Sequence, residues 1–190
     1  IADTVFTLTE PGRIGMDASL SQSLTGGYNI NCAGWSTGSV FLEAVNNAGP
    51  VQFLWADGEI GSSRTGLQAG SYRVVMTDAN GCHTDSIITL TEPPAMHVLM
   101  VTIKPACNEM PDGQIIAHVT GGVSGGGYTY LWSDQSTGRS LSNVPGGNYT
   151  VTVTDANYCI VSQSVDLQPE NELCLNIPNA ISPNGDNTNE

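Results

Sequence analysis

Basic residues are scarce in this chain. Lys and Arg number five against eighteen Asp and Glu, a net charge of −13 over 190 residues. A nucleic-acid partner needs a basic stripe to neutralise phosphates, so that class is excluded. Charge of either sign is sparse, at 12%, and the surface must be built from Ser, Thr, Asn, Gln and Gly. No apolar run approaches the eighteen residues of a membrane span. No segment carries the 3.6-residue apolar spacing of an amphipathic helix, so no helix is expected. Catalytic signatures are missing as well. There is no GxSxG, no HExxH and no zinc-ligand spacing, and the glycine run 121–127 lacks a following Lys-Ser/Thr. His83, His97 and His118 recur at no common position. The expectation is a protein without catalytic residues and without a cofactor.

What the chain does have is repetition. Trp55-Ala-Asp57, Gly70-Ser-Tyr72 and Asp78-Ala-Asn-Gly-Cys82 return as Trp132-Ser-Asp134, Gly147-Asn-Tyr149 and Asp155-Ala-Asn-Tyr-Cys159, each displaced by 77 residues. A fixed period of this length marks an array of small domains. Thr84 to Pro93 also matches Ala2 to Pro11 nearly residue for residue. The chain is therefore expected to open on the last strand of a preceding repeat (1–11). Two repeats should follow, 12–94 and 95–170, and a new element should begin at 171–190.

Within each repeat, β-branched runs such as Tyr149 to Thr154 are bounded by Gly, Asn and Asp. Asp78 and Asp155 can cap type I turns, with Asn-Gly supplying positive-φ positions in the first. Six or seven short strands per repeat predict tandem antiparallel β-sandwiches of immunoglobulin or PKD type, arranged head to tail. Trp55, Trp132, Tyr72 and Tyr149 are the expected aromatic core, with the Trp resembling the anchor of immunoglobulin-like domains.

A core this small is expected to need a staple, and recurring cysteines in an acidic all-β chain point to an oxidising, extracytoplasmic setting. The simplest pairing is within repeats, Cys32 with Cys82 and Cys107 with Cys159. That pairing is the favoured one, although in an immunoglobulin-like sandwich the two cysteines of a repeat would fall at opposite ends of the domain. A head-to-tail array would instead bring Cys32 near Cys159. Cys174 is left over, to pair outside the chain or with Cys107.

The run from Cys107 through Gly121-Gly122, Tyr128-Thr-Tyr-Leu-Trp132 and Val144-Pro-Gly-Gly-Asn-Tyr149 to Asp155-Ala-Asn-Tyr-Cys159 resembles the SprB-type repeat of Bacteroidota surface proteins. The first repeat departs from it around Gly49-Pro-Val, where the double glycine is lost. The tail from Cys174 through Ile177-Pro-Asn179 to Ser182-Pro-Asn-Gly-Asp186 resembles the opening of the gliding motility-associated C-terminal domain, though Asn187-Thr-Asn-Glu replaces its usual Gly-x-Asn-Asp. The resemblance implies a structural and adhesive stalk segment of a large protein on the surface of a Gram-negative bacterium, exported by type IX secretion. Its partners would be neighbouring repeats of the same chain, the secretion machinery reading the C-terminal domain, and a surface or polysaccharide ligand. Two alternatives stand beside it, spacer modules behind a secreted enzyme and a fibre-forming subunit.

Several residues carry narrower expectations. Asp78 and Asp155 are weak calcium candidates, with Asp57 and Asp134, just after the tryptophans, as further carboxylates that the sequence does not bring together with them; turn formation is the favoured role. Trp35 is expected to cover a joint between domains, with stacking on a sugar or anchoring a partner as the alternative. Thr4 and Ser86 sit in Asp-Ser/Thr-apolar triplets that resemble Bacteroidota O-glycosylation sites.

Overall fold

The computed structural model describes residues 12–171 and Cys174. Its twelve strands are β1 (Gly15–Leu20), β2 (Gly38–Val45), β3 (Val51–Trp55), β4 (Ser63–Leu67), β5 (Gly70–Asp78), β6 (His83–Leu90), β7 (His97–Ile103), β8 (Gly113–Thr120), β9 (Thr129–Trp132), β10 (Ser140–Val144), β11 (Gly147–Thr154) and β12 (Ile160–Leu167). The described residues contain no helix, and the chain is all-β.

The first six strands form two three-stranded sheets, β1-β2-β4 and β3-β5-β6, and the next six repeat the scheme as β7-β8-β10 and β9-β11-β12. Pairing is antiparallel wherever the register is resolved, including β1 with β2, β3 with β5 and β8 with β10. Alternation places the core. Along β5 the buried residues are Val74, Met76 and Asp78, the inward-facing set of a period-2 strand. Val74 and Met76 meet Phe53 and Trp55 of β3 and Leu90 of β6 from one sheet, and Val40, Leu42 and Leu67 from the other. Both sheets supply one core, which makes the repeat a β-sandwich. The second repeat buries Ile115, Trp132, Val144, Val151, Val153 and Leu167 at matching places.

Two glycines fix where β2 and β8 begin. A Cβ on Gly38 would stand 2.8 Å from the Leu67 carbonyl oxygen, and on Gly113, 2.7 Å from that of Val144. Only a residue without a side chain allows this approach. Register then slips by one residue in both repeats. Gly38 pairs with Leu67 and Ser39 with Thr65, while Gly113 pairs with Val144 and Gln114 with Ser142. The bulged residues are Gly66 and Asn143, at φ +71° and +58°.

The chain falls into two compact units. Among the described residues, one comprises 12–97, 120–128 and 154–160, and the other 98–119, 129–153, 161–171 and Cys174. The first unit thus holds the first sandwich together with two loops drawn from the second repeat.

Candidate functional site: the aspartate turns and the disulfides

Three local devices recur in both repeats. The first follows the tryptophan. Trp55 is 2% exposed and Trp132 1%, and each indole N–H donates to a carbonyl six residues on, Gly61 at 2.9 Å and Gly138 at 2.8 Å. Asp57 and Asp134 close the turn between, each accepting the N–H two residues later, at 3.3 Å from Glu59 and 2.9 Å from Ser136. In the first repeat Arg64 adds an ion pair with Asp57 at 2.8 Å and lies 5.3 Å from the Trp55 ring centre. Desolvation pulls the Asp57 carboxyl upward, but the Glu59 N–H and the Arg64 guanidinium outweigh it and leave the pKa below its ordinary value. Sequence reasoning passed over Arg64 because its counterpart in the second repeat is Leu141.

The second device is a tyrosine corner. The half-buried Tyr72 and Tyr149 donate their hydroxyls to carbonyls four residues upstream, Gln68 at 2.9 Å and Pro145 at 3.0 Å. Burial, with the Asp134 charge adding to it, holds the Tyr149 phenol above its ordinary pKa.

The third device is the aspartate turn that carries a cysteine. Asp78 Oδ1 accepts the N–H groups of Asn80 and Cys82, both at 2.9 Å, and Oδ2 accepts that of Ala48 at 3.3 Å. Asp155 does the same with Asn157 at 2.8 Å, Cys159 at 2.9 Å and Val123 at 2.9 Å. Both carboxylates are buried and committed to backbone donors, which is the turn-forming role. Among the described residues no three His, Cys, Asp or Glu side chains gather as a metal-holding group.

The two turns differ in what surrounds them. Asn157 is 3% exposed. Its Oδ1 accepts the Thr25 N–H at 2.8 Å and the Thr25 hydroxyl at 2.7 Å, and its Nδ2 donates to the Thr25 and Asn31 carbonyls at 3.2 and 3.1 Å. Beside it Cys159 is bonded to Cys32, with a Cα separation of 5.6 Å. Residues 25–32 and 154–160 therefore lock together inside the first unit. Gly121 and Gly122 complete this knot of loops, at φ +78° and +64°. The Gly122 N–H donates to the Pro94 carbonyl at 2.7 Å. A Cβ on Gly121 would overlap the Ala95 carbonyl, and one on Gly122 would overlap Met96 and Asp155.

In the second unit Cys107 is bonded to Cys174, with a Cα separation of 5.3 Å. Cys82 keeps a free, exposed thiol. This corrects the within-repeat pairing of Cys32 with Cys82 and of Cys107 with Cys159. The reason lies in β6 and β12. The loop before Cys32 is hydrogen-bonded to the carbonyl of Thr91, just past the end of β6, whereas Cys82 directly precedes that strand. Eight residues of strand separate the two by about 26 Å, against the 7 Å a disulfide allows. Cys107 and Cys159 stand apart in the same way, because the adjoining Pro105 and Ala106 carbonyls bind Glu170 and Asn171 beyond β12.

The remaining candidates are placed as follows. Trp35 is 51% exposed, and its backbone N–H closes a turn on the Cys32 carbonyl at 3.1 Å. Met110 repeats that turn on Cys107 at 3.2 Å. Ser86 is half-buried on the side of β6 that carries Ile88 and Leu90, so a glycan there would have to leave from the core-facing side. Thr4 and the sorting-domain motif after Cys174 lie outside the described residues. His118 Nδ1 stands 2.7 Å from Arg139 Nη2. No helix among the described residues is long and apolar enough to cross a membrane.

Among solved structures, the chain is similar to one titled "Structure of amphioxus IgVJ-C2 molecule". Identity is 13%, over 80% of this chain and 96% of that one, with a TM-score of 0.31. The sandwich assignment rests on the sheets and core described above. No curated protein matches the chain. A family model described as the SprB repeat matches residues 104–137, from just before Cys107 across β8, Gly121-Gly122 and Trp132 to the turn that follows.

Proposed function

We propose that this chain is a stalk segment of a large secreted protein displayed on the surface of a Gram-negative bacterium. The protein would be an adhesin or surface filament of the gliding-motility type, exported by type IX secretion. In this reading 12–94 and 95–170 are consecutive repeats that hold an adhesive part away from the cell. Residues 171–190 open the segment that addresses the protein to its exporter. The work is mechanical rather than catalytic.

The observation that carries the reading is the SprB-repeat match at 104–137, which falls inside one of two copies of a single sandwich scheme. Two disulfides support an oxidising location. A net charge of −13 with few lysines favours solubility in many tandem copies.

Immunogold electron microscopy of intact cells, with an antibody raised against residues 12–170, tests this. Label along surface fibres or over the outer envelope is the expected result. Label confined to the medium or the cell interior would overturn the proposal and direct attention to a secreted enzyme that uses these repeats as spacers.

A further inference from the structure

We propose that the turn at residues 78–82 is a docking site for the cysteine-bearing loop of a preceding copy of the repeat, and that Cys82 is disulfide-bonded to that loop's cysteine. The two aspartate turns share one geometry. Asp78 N–H donates to the Cys82 carbonyl at 2.9 Å and Asp155 N–H to that of Cys159 at 3.0 Å, with the carboxylate contacts also duplicated. Both turns present Asn and Cys in the same relative places.

In the second turn those two residues are occupied. Asn157 holds Thr25 and Asn31 through both ends of its amide, and Cys159 is bonded to Cys32. In the first turn Asn80 and Cys82 are exposed. The same geometry therefore stands ready for the same occupant, a loop with a backbone amide and carbonyl for Asn80 and a cysteine for Cys82.

The direction of the existing bonds identifies where that loop lies. Cys32 and Cys107 both sit in the loop that precedes the central strand of their sheet, β2 or β8. Both bond forward in sequence, to Cys159 and Cys174. The turn cysteine is the receiving end of such a bond. Its donor for Cys82 must precede the first repeat, and residues 2–11 carry the sequence that ends a repeat at 84–93.

Forming the bond removes one proton and one electron from each of two thiols. The electrons pass by thiol–disulfide exchange to an oxidised dithiol protein or a small-molecule disulfide, which is reduced to two thiols.

The test is a disulfide map of the full-length secreted protein, with free thiols blocked by N-ethylmaleimide before digestion without reduction, read by mass spectrometry. The expected product is a peptide containing Cys82 linked to a cysteine peptide from an upstream repeat, beside the Cys32–Cys159 peptide. In a Cys82→Ser variant, that upstream cysteine should gain the N-ethylmaleimide mass. Cys82 carrying the blocking group in the unaltered protein would overturn the proposal. So would Cys82 linked to Cys32, to a second Cys82 or to a small thiol.

Discussion

Gln135 and Tyr158 hold left-handed backbone, at φ +71° and +63°, where the first repeat places Gly58 and Gly81 at +92° and +78°. Each closes the same hydrogen-bonded turn as its glycine counterpart. The Gln135 N–H donates to Trp132 at 2.9 Å, as Gly58 does to Trp55, and Tyr158 donates to Asp155 at 3.1 Å, as Gly81 does to Asp78 at 3.0 Å. A side chain in this region crowds its own carbonyl at a cost of about 1–2 kcal/mol, whereas glycine has no such penalty. Asn143, in the corresponding place to Gly66, suffers least because asparagine tolerates the conformation. Gln135→Gly and Tyr158→Gly should each stabilise the protein by about 1 kcal/mol, a rise of several degrees in thermal midpoint, measured by calorimetry. Asn143→Gly should give less. No gain from either of the first two would contradict the strain assignment. Sequence reasoning found the turn at 78–81 from its Asp and Asn-Gly, but the strain at 158 becomes visible only when the backbone is seen to keep its shape without the glycine.

At the scale of the element, the start of β8 depends on Gly113 and that of β2 on Gly38. Neither has an unusual backbone angle, so the requirement comes from space alone. Any Cβ presses on a backbone carbonyl across the sheet and on a leucine beyond it, Leu90 or Leu167. Gly113→Ala and Gly38→Ala should each destabilise their sandwich by about 1–3 kcal/mol, the usual cost of overpacking, seen as a lowered urea midpoint. Ala at the exposed, open Gly125 should change little and serves as the control. A loss at Gly125 equal to that at Gly113 would contradict the packing argument. Much at this scale was legible in the sequence. The turn at 78–82 was legible because Asp78 reaches Asn80 and Cys82 within four positions, whereas its bond from Ala48 and the corner made by Tyr72 and Tyr149 were not read from the sequence. The disulfides were not legible in the same way. Their pairing depends on which end of an eight-residue strand each cysteine reaches, and Cys32 reaches the far end of β6 from Cys82. Gly121-Gly122 pack closely against the backbone of Ala95 and against Met96, a requirement set by a distant segment rather than by local spacing.

For the whole molecule, the two forward-running disulfides determine how tension would pass along the chain. A pull applied at both ends travels from the N-terminal side to Cys32, across to Cys159, and on to the C-terminal side. The sequence separation of that bond is 127, and the intervening residues carry no extending load while it is intact. Unfolding of the residues between Cys32 and Cys159 therefore adds nothing to the end-to-end length while that bond is intact. Single-molecule force extension of the chain held at its two termini tests the covalent link of Cys32 to Cys159 most directly. With the disulfides intact, the stretch to full extension should exclude the enclosed residues. After reduction it should gain about 45 nm, at roughly 3.6 Å for each released residue. Equal extension before and after reduction would contradict the account.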